Sequence, residues 1–323
     1  MSVYVKQHSV VCCFDNSNAW VVLSSIEQNI KKKINSMGIA LKDWNVRINY
    51  GIKTGCNEAF VVSAQKREEI LSNCLSPEER AKTDELIRPI LRGRDINRYN
   101  YKWANLYLIA TFPAMQYDIN DYPSLKQYLL SFAYEDLNDR GYNWIASQYL
   151  SEFCQQKLAQ TGEKIIINNK IITFDNTIQK ARKKTNNKWF ETQDSISYWE
   201  DFFKPKIVYR EIGTEMDASI VPEGWTINNK LYMVTGKHLY YIIAFLNSSI
   251  FNRIILQQAN ITGGKGEDFL ANIKLIRPNV KIYKEIYKAI LYKSQNWEKT
   301  IDKCFYELYS LSDSEIEFID NIN

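Results

Sequence analysis

The residues best suited to chemistry are three arginines, Arg92, Arg94 and Arg98, which surround Gly93 and Asp95 directly after an apolar run. Arginine carries a planar fork of donors that suits phosphates and the edges of guanine bases. Gly93 permits a tight backbone conformation that a side chain would obstruct. The pattern predicts an arginine-bearing turn at the edge of a sheet that binds an anion. A solvated basic loop is the alternative, and this segment alone does not decide between them.

Three further segments combine cations with glycines or with each other. Lys53 and Thr54 lie in a short turn bounded by Gly51 and Gly55, and Lys265 lies in a glycine-rich loop at 262–266. A run without acidic residues, 179–189, carries Lys180, Arg182, Lys183, Lys184 and Lys188, with Lys204, Lys206 and Arg210 downstream. Glycines let backbone amides approach phosphate oxygens closely. These segments therefore suit a polyanion, which their side chains would bind in a salt-dependent and mostly non-specific way.

Several catalytic patterns are absent from the sequence. There is no phosphate-binding loop of the Gly-x-x-x-x-Gly-Lys-Ser/Thr type, and no Asp-x-Lys or Glu-x-Lys triplet of a metal-dependent nuclease. His-Glu-x-x-His and Gly-x-Ser-x-Gly are also missing. With only His8 and His238, acid–base catalysis by histidine has few candidates. Carboxylates such as Glu211 and Glu215 are typical of a solvated surface. The residues favour a binding protein over a hydrolase.

The composition indicates a globular protein. The 323 residues are 45% hydrophobic and 13% aromatic, which is enough for a sizeable core. The net charge of +4 does not by itself demand nucleic acid, but a basic middle and an acidic stretch at 311–323 indicate one face for a polyanion. The cysteines lack metal-ligand spacing and are expected to be reduced in a cytoplasmic protein. No signal peptide is recognisable, and polar residues interrupt the apolar run 239–256, so we expect no membrane span.

The order of the expected elements lacks regular strand–helix–strand alternation and favours the α+β class. Ser24 or Ser25 is expected to cap a helix that ends at Gly38. Strands are predicted at 2–13, 44–50, 58–62, 106–111, 207–212, 219–221, 225–227 and 231–235, with a hairpin at 164–174. Helices are predicted at 65–86 with a break near Pro77, and at 123–132, 144–159, 237–259 and 282–309.

Taken in order, these segments resemble a known family. Residues 89–96 (PILRGRDI) with Arg98 and Tyr99 are similar to the most recognisable motif of the TaqI-like C-terminal specificity domain. That domain follows the catalytic part of adenine-specific DNA methyltransferases and of combined restriction-and-modification enzymes. Further similar segments are 40–44 (ALKDW), 48–55 (INYGIKTG), 57–60 (NEAF), 188–191 (KWFE), 198–200 (YWE), 204–208 (KPKIV) with Glu211 and Ile212, 246–248 (LNS), and the end of the chain, 301–311. Their common order makes the resemblance specific from about Trp20 onwards.

The resemblance implies a mixed-sheet target-recognition domain with long helices and a C-terminal helical extension. Residues 21–280 would form the DNA specificity domain, 281–323 the helical segment, and 1–20 the remnant of a junction with a methyltransferase domain. The sequence departs from the complete enzymes because it lacks their glycine-rich loop for S-adenosylmethionine and their Asn-Pro-Pro-Tyr/Phe motif. We therefore expect no cofactor on this chain, with S-adenosylmethionine held by an attached or partner methyltransferase that flips the target adenine.

The leading hypothesis is recognition of a sequence in double-stranded DNA for an adenine-specific methyltransferase or a type IIG restriction-modification enzyme. The protein partner would be a methyltransferase or nuclease domain or subunit, and this chain alone would not catalyse. The candidate DNA contacts are Lys53, Thr54, Arg92, Arg94, Arg98, Arg182, Lys183, Lys184 and Lys265, and the candidate structural residues are Gly51, Gly55, Gly93 and Asp95, the last orienting an arginine. A protein-interaction scaffold with little DNA contact is the alternative, and a nuclease with an unfamiliar site is a third hypothesis. The segment at about 154–177 has no counterpart in the family pattern, so sequence readout is expected there and in the loops up to residue 230.

Overall fold

The structure is a computed structural model that describes residues 23–130, 132–136, 142–149, 165–167, 170–172, 180–181, 186–257 and 266–321. Its helices are α1 (Ser25–Met37), α2 (Asn57–Phe60), α3 (Ala64–Ser72), α4 (Pro77–Leu86), α5 (Pro123–Leu130), α6 (Leu239–Leu246), α7 (Glu267–Asn272), α8 (Val280–Tyr292), α9 (Trp297–Leu308) and α10 (Asp313–Asn321). Its strands are β1 (Ile39–Ala40), β2 (Val46–Tyr50), β3 (Val61–Ser63), β4 (Ile87–Leu91), β5 (Ile96–Asn97), β6 (Asn100–Tyr101), β7 (Leu106–Ile109), β8 (Ala133–Asp136), β9 (Tyr142–Tyr149), β10 (Ile165–Ile167), β11 (Lys170–Ile172), β12 (Lys180–Ala181), β13 (Lys206–Arg210), β14 (Ala218–Val221), β15 (Thr226–Ile227), β16 (Leu231–Gly236) and β17 (Lys274–Leu275). The strand predicted within 2–13 and the junction predicted at 1–20 lie outside the described residues.

The central sheet is antiparallel, with the strand order β14-β13-β16-β2. On β13 and β16, Ile207 pairs with Val234 and Val208 pairs with Met233. Successive side chains of a strand point to opposite faces. Ile207 and Val234 therefore join one hydrophobic core, while Val208 and Met233 join the other. Burial on both faces explains why both strands have consecutive apolar residues at their centres, Ile207 with Val208 and Met233 with Val234.

A second sheet, in the order β15-β4-β7-β3, lies beside the central one. Its β15 and β4 are parallel, whereas β7 is antiparallel to both β4 and β3. The two sheets meet where the chain leaves β2, because Ile52 forms a parallel bridge with Asn228. The Ile52 N–H donates to the Ile227 carbonyl at 2.8 Å, and the Asn229 N–H donates to the Ile52 carbonyl at 3.1 Å. Residues 227–231 are thus shared by both sheets.

A third sheet has the order β11-β10-β8-β9-β12. The hairpin predicted at 164–174 is confirmed, since Ile165 lies opposite Ile172 and Ile167 lies opposite Lys170. The helix predicted at 144–159 is wrong over residues 144–149, which belong to β9 and pair with β8 and β12. Residues 142–149 (YNWIASQY) hold aromatic and β-branched residues that suit a strand once neighbouring strands are available.

Helices cover the face of the central sheet that carries Ile207 and Val234. Helix α1 starts with a capping box in which Ser24 accepts from the Glu27 N–H, and it ends at Gly38 as predicted. Ile286 of α8 and Phe305 of α9 are buried in the same core as Tyr241 of α6. The C-terminal helices therefore share a core with the central sheet, while the domain boundary at 280/281 stays a prediction.

Two long helices predicted near the C-terminus are interrupted. The helix predicted at 282–309 divides into α8 and α9, because Lys293 (φ 43°) and Asn296 (φ 62°) adopt left-handed conformations between them. The helix predicted at 237–259 is broken after α6, at Asn247 and Ser248, and continues as a π-helical turn at Phe251–Ile255. The strand predicted at 58–62 is likewise wrong at its start, where α2 precedes β3. The mixture of antiparallel sheets and helices confirms the α+β class.

Candidate nucleic-acid interface

The arginine turn is a 3-10 turn, Gly93–Asp95, that connects β4 to the small β5–β6 hairpin. Asp95 is buried and binds Arg92 at both carboxylate oxygens, at 3.0 Å from Nε and 2.9 Å from Nη2. The Arg92 N–H also donates to Asp95 Oδ2 at 2.9 Å. This hydrogen bonding raises the pKa of the Arg92 guanidinium. Arg92 therefore braces the turn internally, and Asp95 is the carboxylate that holds it.

The other two arginines of the motif have different environments. Arg94 is exposed, and no carboxylate of the described residues lies within ion-pair distance of it. Arg98 instead lies towards the C-terminal helices, where its Nη2 is 3.0 Å from Oε2 of Glu298 on α9. One short motif thus supplies an internal arginine, an outward-facing arginine and an arginine paired across the fold.

The lysine turn follows β2 directly. A Cβ at Gly51 would lie 1.9 Å from the Asn228 carbonyl oxygen, so the close approach of the two sheets excludes every other residue there. The Lys53 side chain is exposed, while its backbone N–H donates to Asp194 at 2.9 Å. Thr54 is 3% exposed and donates to Asn57 at 2.7 Å. Gly55 has φ 81°, a conformation that favours glycine. Lys53 therefore faces outward, and Thr54 serves the turn itself.

Both turns contact residues 227–231. Ile227 pairs with Leu91 directly before the arginine turn, and the Asn228 N–H donates to the Leu91 carbonyl at 3.0 Å. A Cβ at Gly93 would lie 3.3 Å from Cβ of Lys230. Lys230 is itself exposed. Lys53, Arg94 and Lys230 therefore project from segments that contact one another, and we call these three residues the basic face.

Lys230 was missed by reasoning from the sequence. Lys230 is the sole charged residue of the segment 224–236, so no pattern of glycine-flanked or clustered cations identifies it. A signal was present, because Asn228-Asn-Lys230 repeats the Asn168-Asn-Lys170 triplet of the predicted hairpin turn. An Asn-Asn pair between two strands indicates a turn, and Lys230 is exposed in that turn.

The remaining predicted contacts are distributed otherwise. Arg182, Lys183, Lys184 and Lys265 lie outside the described residues. The loop of Lys265 ends at Gly266, where a Cβ would lie 3.5 Å from the Tyr232 hydroxyl. Tyr232 pairs with Tyr50, the residue before Gly51. Gly266 therefore lies close to the side chain of Tyr232, on the strand that pairs with the one preceding the lysine turn.

The downstream cations Lys204, Lys206 and Arg210 are not part of the basic face. Lys204 pairs with Asp201 at 2.6 Å, and Arg210 pairs with Asp217. Lys206 is fully buried, and its ammonium donates to three carbonyl groups, those of Phe202 (2.9 Å), Lys204 (3.0 Å) and Pro222 (2.9 Å).

Burial lowers the pKa of Lys206 to about 8. The ammonium form, which carries three protons for three acceptors, is the dominant form at neutral pH. Lys206 therefore joins the segment before β13 to the end of β14, and it is a structural cation.

Neither a metal site nor a membrane helix is found in the part of the chain that the structure describes. No group of histidine, cysteine and carboxylate side chains there could hold a metal ion. No helix there has both the length and the apolar character needed to cross a membrane.

A family model, the TaqI-like C-terminal specificity domain, matches residues 88–269, which is more than half of the chain and includes most of β4, the arginine turn and the central sheet strands β13, β14 and β16. No curated protein sequence matches.

Two solved structures are similar at 12% identity. One is the type IIL restriction-modification enzyme MmeI in complex with DNA, with a TM-score of 0.44. The matched region covers 84% of this chain and 34% of the MmeI chain. The other is the type IIG restriction endonuclease BpuSI, with a TM-score of 0.46. The matched region covers 89% of this chain and 33% of the BpuSI chain. The chain thus spans about a third of the length of either enzyme. The match of the family model over the arginine turn and three of the four strands of the central sheet, more than half of the chain in all, shows that the chain belongs to the family of TaqI-like C-terminal specificity domains.

Proposed function

We propose that the protein recognises target sequences in double-stranded DNA within a restriction-modification system, and that it binds the duplex through the basic face. Membership of a family of specificity domains supports the function. The observation that carries the location is the convergence of the lysine turn and the arginine turn on residues 227–231. Lys53, Arg94 and Lys230 are exposed at that convergence and could each neutralise a phosphate.

Phosphate contacts and base contacts would be divided between neighbouring residues of this face. The arginine turn belongs to the family motif, and a motif shared by proteins with different target sites suits a phosphate contact better than base readout. Asn229, beside Lys230, is half-buried, and its amide could donate to N7 and accept from N6 of adenine in the major groove. We propose Asn229 as a base-reading residue, which lies within the range 154–230 where sequence readout is expected.

The chemical step would occur on another domain or subunit. The sequence has neither the glycine-rich loop nor the Asn-Pro-Pro-Tyr/Phe motif that would hold S-adenosylmethionine and the target adenine. We propose that an adenine-specific methyltransferase supplies both, in the cytoplasm, and that this chain of 323 residues binds DNA without methylating it. Transfer of a labelled methyl group to adenine by the purified chain would contradict this division of labour.

Salt-dependent DNA binding tests the basic face. Fluorescence anisotropy of a labelled mixed-sequence duplex would give affinity at several salt concentrations. Each phosphate contact contributes about −0.9 to the slope of log affinity against log salt. We expect the triple variant Lys53→Ala/Arg94→Ala/Lys230→Ala to lose affinity and to have a slope shallower by roughly two to three.

A single-charge control is Lys82→Ala, which removes one exposed charge from α4, the helix that leads into the opposite end of β4. It should leave both quantities unchanged. An unaltered slope in the triple variant would show that the basic face does not contact DNA.

A protein-interaction scaffold remains the second candidate, and one observation favours it. Helix α8 exposes apolar side chains, with Val280 at 71%, Leu291 at 48% and Tyr292 at 75% exposure. Such a surface suits a protein partner. The same titration separates the two functions, because a scaffold with little DNA contact would give weak binding that the triple variant does not change.

A further inference from the structure

Arg98 differs from Arg94 in what its guanidinium contacts. It lies 3.0 Å from the Glu298 carboxylate and 5.6 Å from the centre of the Tyr99 ring. Its side chain is 29% exposed, and its Nε is buried. A phosphate approaching this guanidinium would also approach Glu298, whose charge repels it. The surroundings of Arg98 are therefore those of an internal contact.

The tip of the β5–β6 hairpin is attached to the same region. Tyr99 has φ 56°, and its N–H donates to the Ala218 carbonyl on β14 at 2.8 Å. The Tyr99 ring packs edge-on against Trp297, the first residue of α9, with ring centres 4.7 Å apart. The base of this hairpin is joined to the arginine turn, since the Lys102 N–H donates to the Asp95 carbonyl at 2.8 Å. Displacement of the hairpin would therefore displace the turn that carries Arg94.

Helix α9 is itself fixed to the helical layer. Asp302 accepts from both the N–H and the hydroxyl of Ser249, each at 2.7 Å. Ser249 follows the break at Asn247, whose amide bonds to Ala218 in both directions, at 3.1 and 2.9 Å. The hairpin, α9 and the helix break thus contact one another around Ala218.

We propose that Arg98 is a positioning residue: its ion pair with Glu298 holds the arginine turn on α9, so that Arg94 is presented to DNA from a fixed backbone. The two arginines of one motif then have separate tasks, with Arg94 binding the ligand and Arg98 binding the C-terminal helices. This proposal rests on the proposed function for its effect on DNA, whereas the attachment itself is independent of DNA.

The sign of one substitution distinguishes positioning from direct contact. If Arg98 positions the turn, Glu298→Ala weakens DNA binding by about two- to five-fold, the range expected for a partly exposed ion pair, with the salt slope unchanged. Arg98→Ala should weaken binding similarly, and the double variant should be no weaker than Arg98→Ala alone. If Arg98 contacts a phosphate, Glu298→Ala instead strengthens binding, and Arg98→Ala makes the slope shallower by about one. Either of those results would overturn the proposal.

The control and a DNA-independent measurement complete the experiment. Glu307→Ala removes the same charge from an exposed position of the same helix, where no ion pair is formed with Arg98, and it should not weaken binding. Hydrogen exchange of the amides at 96–101 should be faster in Glu298→Ala than in the wild type, and unchanged in Glu307→Ala. Equal exchange in all three proteins would overturn the proposal even if the wild type bound no DNA, an outcome that would count against the proposed function alone.

Discussion

At the scale of single residues, a positive charge does not reveal whether the side chain is exposed to solvent or bound to partners within the fold. Arg92, Lys206 and Arg94 are all cations in segments that resemble the same family. Arg92 is engaged by Asp95, and Lys206 is engaged by three carbonyl groups, so only Arg94 of these three is exposed. The spacing of the arginines predicted the turn correctly. It could not distinguish these environments, because the partners come from residues whose proximity depends on the fold.

Lys206 leads to a prediction about pH and stability. Its pKa is about 8 in the folded protein and has the ordinary value of 10.5 when the chain unfolds. Between these two values the unfolded chain binds more protons, so the contribution of Lys206 to the free energy of unfolding rises with pH. Lys206→Met cannot show this rise.

The measurement is urea denaturation of both proteins at pH 8 and pH 9.5. The gap, meaning the free energy of unfolding of the wild type minus that of Lys206→Met, should increase by roughly 1 to 2 kcal/mol over this range. Taking the difference cancels the effect of other groups, such as Cys304, whose pKa burial raises to about 11. A gap that stays constant with pH would show that Lys206 does not titrate in this range.

At the scale of elements, periodicity predicted the strands of the central sheet and missed the interruptions of the helices. The apolar runs that form β13 and β16 have few alternatives, since both faces of these strands are buried. The break after α6 has a different origin: the fully buried Asn247 bonds to the backbone of Ala218, which is 29 residues earlier in the chain. A helical pattern contains no information about such a partner, and the strand β9 was missed for the same reason.

Asn247 therefore gives a prediction about stability. Asn247→Ala leaves the buried N–H of Ala218 without the side-chain partner that it has in the wild type, while the Ala218 carbonyl keeps its hydrogen bond from the Tyr99 N–H. An unsatisfied buried group costs about 1–3 kcal/mol, so we expect the free energy of unfolding to fall by roughly 1–3 kcal/mol. Chemical denaturation followed by circular dichroism measures this loss. Asn73→Ala, at an exposed position after α3, is the control and should cost well under 1 kcal/mol. A similar small loss in Asn247→Ala would show that the two hydrogen bonds do not matter for the break.

At the scale of the whole molecule, the two hydrophobic cores are not independent. Each face of the central sheet belongs to one of them, and the C-terminal helices belong to the core that contains α1 and α6. Loss of either core would uncover one face of β13 and β16. Because the sheet needs both coverings, the protein should unfold in a single transition.

This prediction is checked with two truncations of matched size. Val234→Ala acts on the core with the C-terminal helices, and Val208→Ala acts on the other. In each variant, the unfolding midpoint followed by circular dichroism and the one followed by tryptophan fluorescence should fall by the same amount. Separate midpoints in either variant would show that the cores unfold independently.

The crossing at Gly51 has a consequence for how such a protein can evolve. Only a hydrogen atom fits between this residue and the Asn228 carbonyl. Gly51 therefore cannot be substituted as long as the two sheets meet there. Lys53 and Lys230, a short distance along each chain segment, have exposed side chains and carry no such constraint. Under the proposed function, related proteins could change their DNA-facing residues repeatedly while the contact between the two sheets at Gly51 stays the same. A laboratory library that randomises Asn229 and Lys230 while retaining Gly51 would explore the same kind of sequence change.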